Sequence, residues 1–155
     1  MVAVAHWLLK SEPETFGIEH LKAKVSEPWD GVRNYMARNN LMAMKLGEEG
    51  FFYHSSCEVP GVVGVLRVVR EAYPDPSQFN PESKYFDPKA TEEKPRWFCP
   101  DVAYVETFPR VVTLKEIKAT PGLQDMSIAS ASWSRLSVSP VSDKEWDIIC
   151  ELARA

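Results

Sequence analysis

The stretch from Trp29 to Asn40 reads WDGVRNYMARNN, and the rest of the chain is organised around it. We predict that it begins as a loop, in which Gly31 gives the backbone conformational freedom. It then continues as a helix from Asn34, whose side-chain oxygen can accept hydrogen bonds from the unpaired amides of the first turn. The stretch therefore places exposed backbone amides at the start of a helix.

Two arginines and two large aromatic side chains accompany this helix start: Arg33, Arg38, Trp29 and Tyr35. They suit a planar anionic ligand, because guanidinium groups bind phosphate and aromatic faces stack on bases. Backbone amides at a helix start also favour anions. The alternative is that both aromatic side chains simply fill the core, as most aromatic residues do.

The composition is that of an ordinary globular protein, which we predict to form one domain over residues 1–155. Hydrophobic residues make up 45% of the chain and charged residues 26%, and both values are typical of water-soluble domains. The net charge of −4 argues against nucleic-acid binding through bulk positive charge. Any contact with nucleic acid is therefore expected to be local.

Neither a metal site nor a cofactor is expected. The cysteines are far apart and the histidines lack the spacing of metal ligands, and no phosphate-binding loop motif occurs. The residues concerned are Cys57, Cys99, Cys150, His6, His20 and His54. Widely spaced, unpaired cysteines are typical of reduced intracellular proteins, and no apolar run is long enough to span a membrane. The sequence thus predicts a cytoplasmic protein without a membrane partner.

The order of strands and helices predicts an α+β fold around a mostly antiparallel sheet, for which a small closed barrel is one form. Strands are predicted at residues 4–10, 51–56, 62–73, 101–108 and 135–141. Helices are predicted after the capping-box pairs Ser11/Glu14, Thr113/Glu116 and Ser142/Glu145, and from Asn34 to Leu46. Gly64 inside the longest strand predicts a bulge or a close backbone approach.

Residues 74–100 form a proline-rich excursion. Its prolines exclude long regular elements, but it contains too many aromatic residues for a disordered linker. We therefore predict an ordered segment that packs back onto the sheet.

Catalysis is weakly supported by the sequence. His54 and Ser55 are adjacent on a predicted strand, so their side chains would point to opposite faces. Glu12, Asp30 and Glu58 could act as acids or bases only if folding brought them together. We expect that the protein is not an enzyme.

Several motifs together resemble the EVE domain family, and they occur in the family's order over almost the whole chain. The motifs are residues 7–13 (WLLKSEP), 29–39 (WDGVRNYMARN), 52–55 (FYHS), 60–64 (PGVVG), 72–76 (AYPDP), 85–89 (YFDPK), 95–97 (PRW) and 135–138 (RLSV). The chain departs from the family pattern at Met36, where glutamine is usual, and over Ser127–Ser134.

The resemblance implies a PUA-like fold, a small and mostly antiparallel β-barrel with peripheral helices, akin to YTH and ASCH domains. It also implies a non-catalytic reader that takes a modified base of DNA or RNA into a pocket, with modified cytosine as the first candidate. Its partner would be nucleic acid carrying that base, and the resemblance identifies no protein partner.

The candidate ligand-binding residues combine the helix start with the positions that the resemblance carries over. They are Lys10, Ser11, Glu12, Trp29, Gly31, Val32, Arg33, Asn34, Tyr35, Arg38, Tyr53, His54, Ser55, Arg135 and Ser137. Our hypothesis is that Trp29 and one tyrosine stack on the base. Ser11 and Asn34 would then contact the base edge, and the two arginines of the helix start would contact phosphates.

Two other functions remain open at this point. The chain could be an enzyme acting on a modified base or nucleotide, using His54, Glu12 or Cys57. It could instead be an adaptor that binds protein partners through the proline-rich excursion.

Overall fold

A six-stranded sheet is the centre of the fold, which the computed structural model describes for residues 5–133 and 135–155. The strands are β1 (His6–Ser11), β2 (Glu27–Pro28), β3 (Glu49–His54), β4 (Gly61–Pro74), β5 (Phe98–Thr113) and β6 (Val138–Val141). The helices are α1 (Pro13–Phe16), α2 (Ile18–Lys22), α3 (Tyr35–Ala43), α4 (Leu114–Ala119) and α5 (Asp143–Arg154). Short 3-10 helices lie at Pro76–Phe79 and Ser127–Ala129. Over the described ranges, no helix combines the length and the apolar character that a membrane span needs.

The strands lie in the order β2-β5-β4-β3-β1-β6. All neighbouring strands are antiparallel except β1 and β3, which run parallel with Leu8 beside Phe51. The predicted α+β class and mostly antiparallel sheet are confirmed. Within the described residues the sheet is open, with β2 and β6 at its edges, so the barrel is not confirmed. The sequence favoured antiparallel pairing, and the parallel pair was not predicted. The connection from β1 to β3 carries α1, α2, β2 and α3, which makes it long enough for the crossover that parallel strands need.

Hydrophobic side chains cover both faces of the sheet. Successive residues of a strand point to opposite faces. Leu8 and Phe51 therefore face one core, which α4 and α5 cover, and Leu9 and Phe52 face the other. Helices α2 and α3 cover this second core together with Trp29. The loop from residue 29 thus starts from a side chain that is held in the core.

Helix starts follow the predicted caps in three cases. Asn34 caps α3, and its side-chain oxygen accepts a hydrogen bond from the amide of Ala37 at 2.9 Å. Thr113 caps α4 in the same way. Ser142 and Glu145 form the predicted capping box of α5.

The helix predicted after β1 is split into α1 and α2 by the extended Gly17. Glu12 is the N-cap residue of α1, and its side chain makes no capping bond. The predicted capping box at Ser11 is therefore wrong. Its hydroxyl instead donates a hydrogen bond to the carbonyl of Phe16 at 2.7 Å.

The pairing of β4 with β5 contains the bulge predicted at Gly64. The register shifts between Val62 and Gly64, and a Cβ at Gly64 would lie only 2.2 Å from the carbonyl oxygen of Glu106. The extra residues of β5 in this bulge include Pro109, which has no amide hydrogen to donate. Because Pro109 lies in the bulge, where no ladder hydrogen bond is required of it, β5 continues through the proline.

Candidate functional site

A cavity of about 430 Å³ opens at the end of β1. Its walls come mainly from β1, α1, β2, the loop of residues 29–33 and residues 84–85 of the proline-rich excursion. The predicted site residues that line it are Lys10, Ser11, Glu12, Trp29, Gly31, Val32, Arg33, Ser55 and Ser137. Segments far apart in sequence thus meet at one cavity.

Other lining residues were not among the predicted site residues. They are Thr15, Phe16, Glu27, Pro28, Asp30, Lys84 and Tyr85. The YFDPK motif at residues 85–89 contained the signal for Tyr85, but nothing in the sequence showed that this motif returns to β1.

Backbone hydrogen bonds fix the main chain at the end of β1, where the cavity opens. The amide of Lys10 donates to the carbonyl of Ser137 at 2.9 Å, and the amide of Ser55 donates to the carbonyl of Ser11 at 3.0 Å. These hydrogen bonds present the side chains at this end of the sheet from a rigid backbone. Among these side chains, Lys10 is partly buried, and burial lowers the pKa of its ammonium group below the usual value.

Trp29 contributes little surface to the cavity, because only 7% of it is exposed. Its ring packs edge-on against Phe16 and Phe52, with centroid distances of 6.3 and 5.4 Å. Phe16 and Tyr85 are only partly buried and line the cavity. These two rings, rather than Trp29, are the better candidates for stacking.

Tyr85 lies directly over the backbone of Gly31. A Cβ at Gly31 would approach the tyrosine ring to 2.7 Å, and the positive φ of +79° also favours glycine. Gly31 therefore allows the excursion to close against the loop.

Arg33 connects the two loop walls through all five of its donor hydrogens. It donates to the carbonyl of Tyr85 at 3.0 and 2.8 Å and to the carbonyl of Val32 at 2.9 Å. The remaining donors reach Asp75 at 3.2 Å and the hydroxyl of Ser77 at 3.0 Å. A guanidinium group has five donors, so Arg33 has none left for a phosphate.

Asp75 is the buried acceptor of this network. Burial acts to raise its pKa, but hydrogen bonds from Ser77, the Gly31 amide and Arg33 outweigh burial and hold the pKa below its usual value. The Gly31 amide donates at 2.8 Å. Asp75 is thus a charged link between the excursion and the loop.

Six predicted site residues do not line the cavity: Asn34, Tyr35, Arg38, Tyr53, His54 and Arg135. The amide oxygen of Asn34 is engaged in capping α3. Tyr53 is 1% exposed in the core, and burial together with the nearby Cys57 raises its pKa to about 12. Arg135 is exposed at the surface.

Tyr35 and Arg38 belong to a neighbouring cluster. Tyr35 stacks on Trp97 with a centroid distance of 5.0 Å, and the Arg38 guanidinium lies 4.8 Å from the Tyr35 ring centre. Arg38 also donates to the carbonyl of Arg96 at 3.0 Å. Met36, where the chain departs from the family pattern, is 45% exposed and does not line the cavity either. The second departure lies partly at Ser134, outside the described residues.

His54 has a structural partner. Its Nε2 accepts a hydrogen bond from the amide of Ile18, the first residue of α2, at 3.1 Å. Burial lowers the pKa of His54, so the neutral form that accepts this bond is favoured. Within the described ranges, no group of His, Cys, Asp and Glu side chains could hold a metal ion.

The chain also matches a known protein family. The model of the EVE domain matches residues 5–152. The chain belongs to the EVE domain family. The predicted family membership is thereby confirmed, and the cavity lies where the family motifs of residues 7–13 and 29–39 meet.

Relatives of this EVE domain include human thymocyte nuclear protein 1. It is 44% identical to this chain, in an alignment that covers 96% of this chain and 73% of the relative. An uncharacterised protein of Schizosaccharomyces pombe is 37% identical and is covered over 68% of its length. Several relatives carry "nuclear" in their names, and the cytoplasmic location stays a prediction.

Solved structures show the same fold. A crystal structure of a Pseudomonas putida protein has a TM-score of 0.93 and 50% identity, over 96% of this chain and 99% of that one. Human THYN1 in complex with 5-methylcytosine-containing DNA has a TM-score of 0.91 and 43% identity, over 97% and 98%. An ASCH protein of Zymomonas mobilis, at 10% identity and a TM-score of 0.55, shares the fold alone.

Proposed function

We propose that this EVE domain binds nucleic acid through one modified base, with 5-methylcytosine in DNA as the first candidate, and does not alter it chemically. The observation that carries the proposal is the cavity itself, in a chain 43% identical to human THYN1, which was crystallised with 5-methylcytosine-containing DNA. Its volume of about 430 Å³ falls within the range of small-molecule pockets.

Phe16 and Tyr85 would supply the stacking surfaces. Taking a base out of a duplex costs a few kcal/mol. Stacking on an aromatic side chain returns roughly 1–3 kcal/mol per base. Ser11, Ser55 and Ser137 line the same cavity and can contact the base edge, Ser11 as an acceptor because its hydroxyl donates to the Phe16 carbonyl. Stacking and edge contacts together would offset the cost of extrusion.

Phosphate contacts would come from Lys84 rather than Arg33. Lys84 is exposed and lines the cavity, whereas every donor of Arg33 is engaged within the protein. The net charge of −4 favours capture of a single nucleotide over a long charged groove.

Two observations favour binding over the alternatives. Of the three candidate residues of an enzyme, His54, Glu12 and Cys57, only Glu12 lines the cavity, and the Nε2 of His54 is occupied by the Ile18 amide. The excursion, the candidate adaptor surface, forms a cavity wall and is bonded to the loop through Arg33. Both features support a pocket built for recognition.

A binding panel tests this function. Short oligonucleotides carrying 5-methylcytosine, 5-hydroxymethylcytosine, N6-methyladenine or no modification would be titrated at fixed salt, because affinity depends on salt. We expect preference for one modification in the wild type and at least a fivefold loss in Tyr85→Ala, from the lost stacking.

Phe86→Ala is the matched control, because Phe86 is the next residue of the excursion, is 39% exposed and does not line the cavity. It should bind as the wild type does. Equal affinity across the panel in the wild type would contradict the proposed function. Mass spectrometry of the recovered oligonucleotides should show every base unchanged.

A further inference from the structure

The cavity contains three carboxylates, and they differ in what they contact. Glu27 is paired with Lys24 at 3.1 Å, and Glu12 lies exposed at the end of β1. Asp30 lies in the loop that follows β2, and no other described residue donates a side-chain hydrogen bond to it. Asp30 is therefore the carboxylate on the loop wall that a ligand can reach.

Negative charges dominate the electrostatic effect on Asp30, although Lys10, Arg33 and Lys84 line the same cavity. Partial desolvation, followed by the negative charges of Asp75 and Glu27, raises its pKa above the usual value. Arg33 opposes this only through its charge, since its donors are all engaged elsewhere. A hydrogen-bond donor on a ligand would be attracted to this position, and an acceptor would be repelled.

The backbone on both sides of Asp30 is fixed. Trp29 on one side is buried in the core against Phe52. Gly31 on the other side donates its amide to Asp75 and lies beneath the Tyr85 ring. Fixed neighbours hold the backbone of Asp30 in place before a ligand arrives, so the carboxylate starts from a set position at the cavity, and such preorganisation favours selective binding.

The chemistry of 5-methylcytosine makes an acceptor at this place informative. Thymine also carries a methyl group at C5, so a pocket that recognised only the methyl group would accept both bases. The two bases differ at C4, where cytosine has an amino donor and thymine has a carbonyl acceptor. Asp and Glu side chains accept hydrogen bonds from this amino group in protein–DNA complexes.

We propose that Asp30 is the residue that distinguishes cytosine bases from thymine, by accepting a hydrogen bond from the 4-amino group. This inference rests on the proposed function. It assigns to Asp30 a role separate from recognition of the modification: the carboxylate reads the C4 substituent, and the rest of the cavity reads C5.

The test compares Asp30→Asn with the wild type on oligonucleotides holding 5-methylcytosine, cytosine or thymine opposite an abasic site. An abasic partner removes base pairing, so all three bases are extruded at similar cost. The wild type should prefer 5-methylcytosine to thymine about tenfold or more. In Asp30→Asn this ratio should fall to about twofold, because the side-chain amide can donate to the thymine carbonyl.

Glu14→Gln is the control for charge. Glu14 is exposed on α1 and does not line the cavity. Its substitution removes one negative charge, as Asp30→Asn does. Its ratio of 5-methylcytosine to thymine affinity should equal that of the wild type. Thermal unfolding midpoints of both variants within about 2 °C of the wild type would exclude misfolding as a cause.

The outcomes separate the inference from the proposed function. If the wild type prefers 5-methylcytosine to cytosine but Asp30→Asn keeps its discrimination against thymine, the inference is overturned and the proposed function stands. If the wild type binds cytosine and 5-methylcytosine alike, recognition of the modification fails. Discrimination against thymine that depends on Asp30 would still support the inference in that case.

Discussion

Arg33 shows how a single residue can have a different role from the one its type suggests. An arginine beside a helix start is a favourable phosphate ligand, and the sequence predicted that role. In the structure its donors reach three acceptors of the excursion and one of its own loop. The sequence could not show this, because the acceptors lie more than 40 residues away along the chain.

Replacing Arg33 by lysine tests the structural role. Arg33→Lys keeps the charge but loses most of the planar set of donors. We expect the free energy of unfolding to fall by about 2 kcal/mol, since buried acceptors near Asp75 lose hydrogen bonds from a charged group. Urea denaturation measures the change.

Arg67→Lys is the control, because Arg67 forms an exposed pair with Glu49 at 3.2 Å. Exposed pairs contribute little, so stability should change by less than about 0.5 kcal/mol. Equal effects of the two substitutions would refute the special role of Arg33.

His54 predicts a pH dependence of stability. Its folded-state pKa lies below the ordinary value, so the unfolded chain takes up the proton first as the pH falls. The contribution of the neutral, hydrogen-bonded His54 is therefore complete above about pH 6.5 and is lost progressively below it.

His54→Gln should remove this part of the pH dependence, since an amide oxygen can accept from Ile18 without titrating. The free energy of unfolding, measured by urea denaturation from pH 7.5 to 5.5, should fall more steeply in the wild type than in the variant. Parallel curves over this interval would contradict the assignment.

At the scale of elements, local signals were sufficient where the stabilising contact is local. Asn34, Thr113 and Ser142 cap helices as predicted, and Gly64 lies in the predicted bulge. The pair Ser11/Glu14 has the same spacing as a capping box but forms none. There Ser11 ends a strand, and strand pairing fixes its backbone.

The pairs Ser142/Glu145 and Ser11/Glu14 should therefore respond differently to substitution. Ser142→Ala removes the acceptor for the Glu145 amide and should lower the free energy of unfolding by about 1 kcal/mol. Ser142→Asp keeps an acceptor and should restore most of the loss.

Glu14→Ala, at the other pair, should change stability by less than about 0.5 kcal/mol, because Glu14 is an exposed residue outside any capping box. Urea denaturation of the three variants measures these differences. A loss of about 1 kcal/mol in Glu14→Ala would show that this pair also forms a capping box in solution.

At the scale of the whole molecule, the cavity depends on which segments meet, and sequence patterns do not report this. The family motifs supplied β1 and the loop after Trp29, but Phe16, Lys84 and Tyr85 were not among the predicted site residues. Phe16 and the Lys84–Tyr85 segment are brought to the site by the split of α1 from α2 and by the Arg33 network. Both depend on contacts made only in the folded chain.

The net negative charge leads us to expect a weak dependence of binding on salt. If one extruded nucleotide and about two phosphates are contacted, a plot of the logarithm of the observed association constant, Kobs, against the logarithm of the salt concentration should have a slope of about −2. Lys84→Gln should make this slope shallower by about 1 and weaken methylated and unmethylated oligonucleotides by the same factor. Lys115→Gln, on exposed α4 surface away from the cavity, should leave the slope unchanged. A wild-type slope of about −5 or steeper would instead indicate a long charged groove, which a net charge of −4 makes unfavourable.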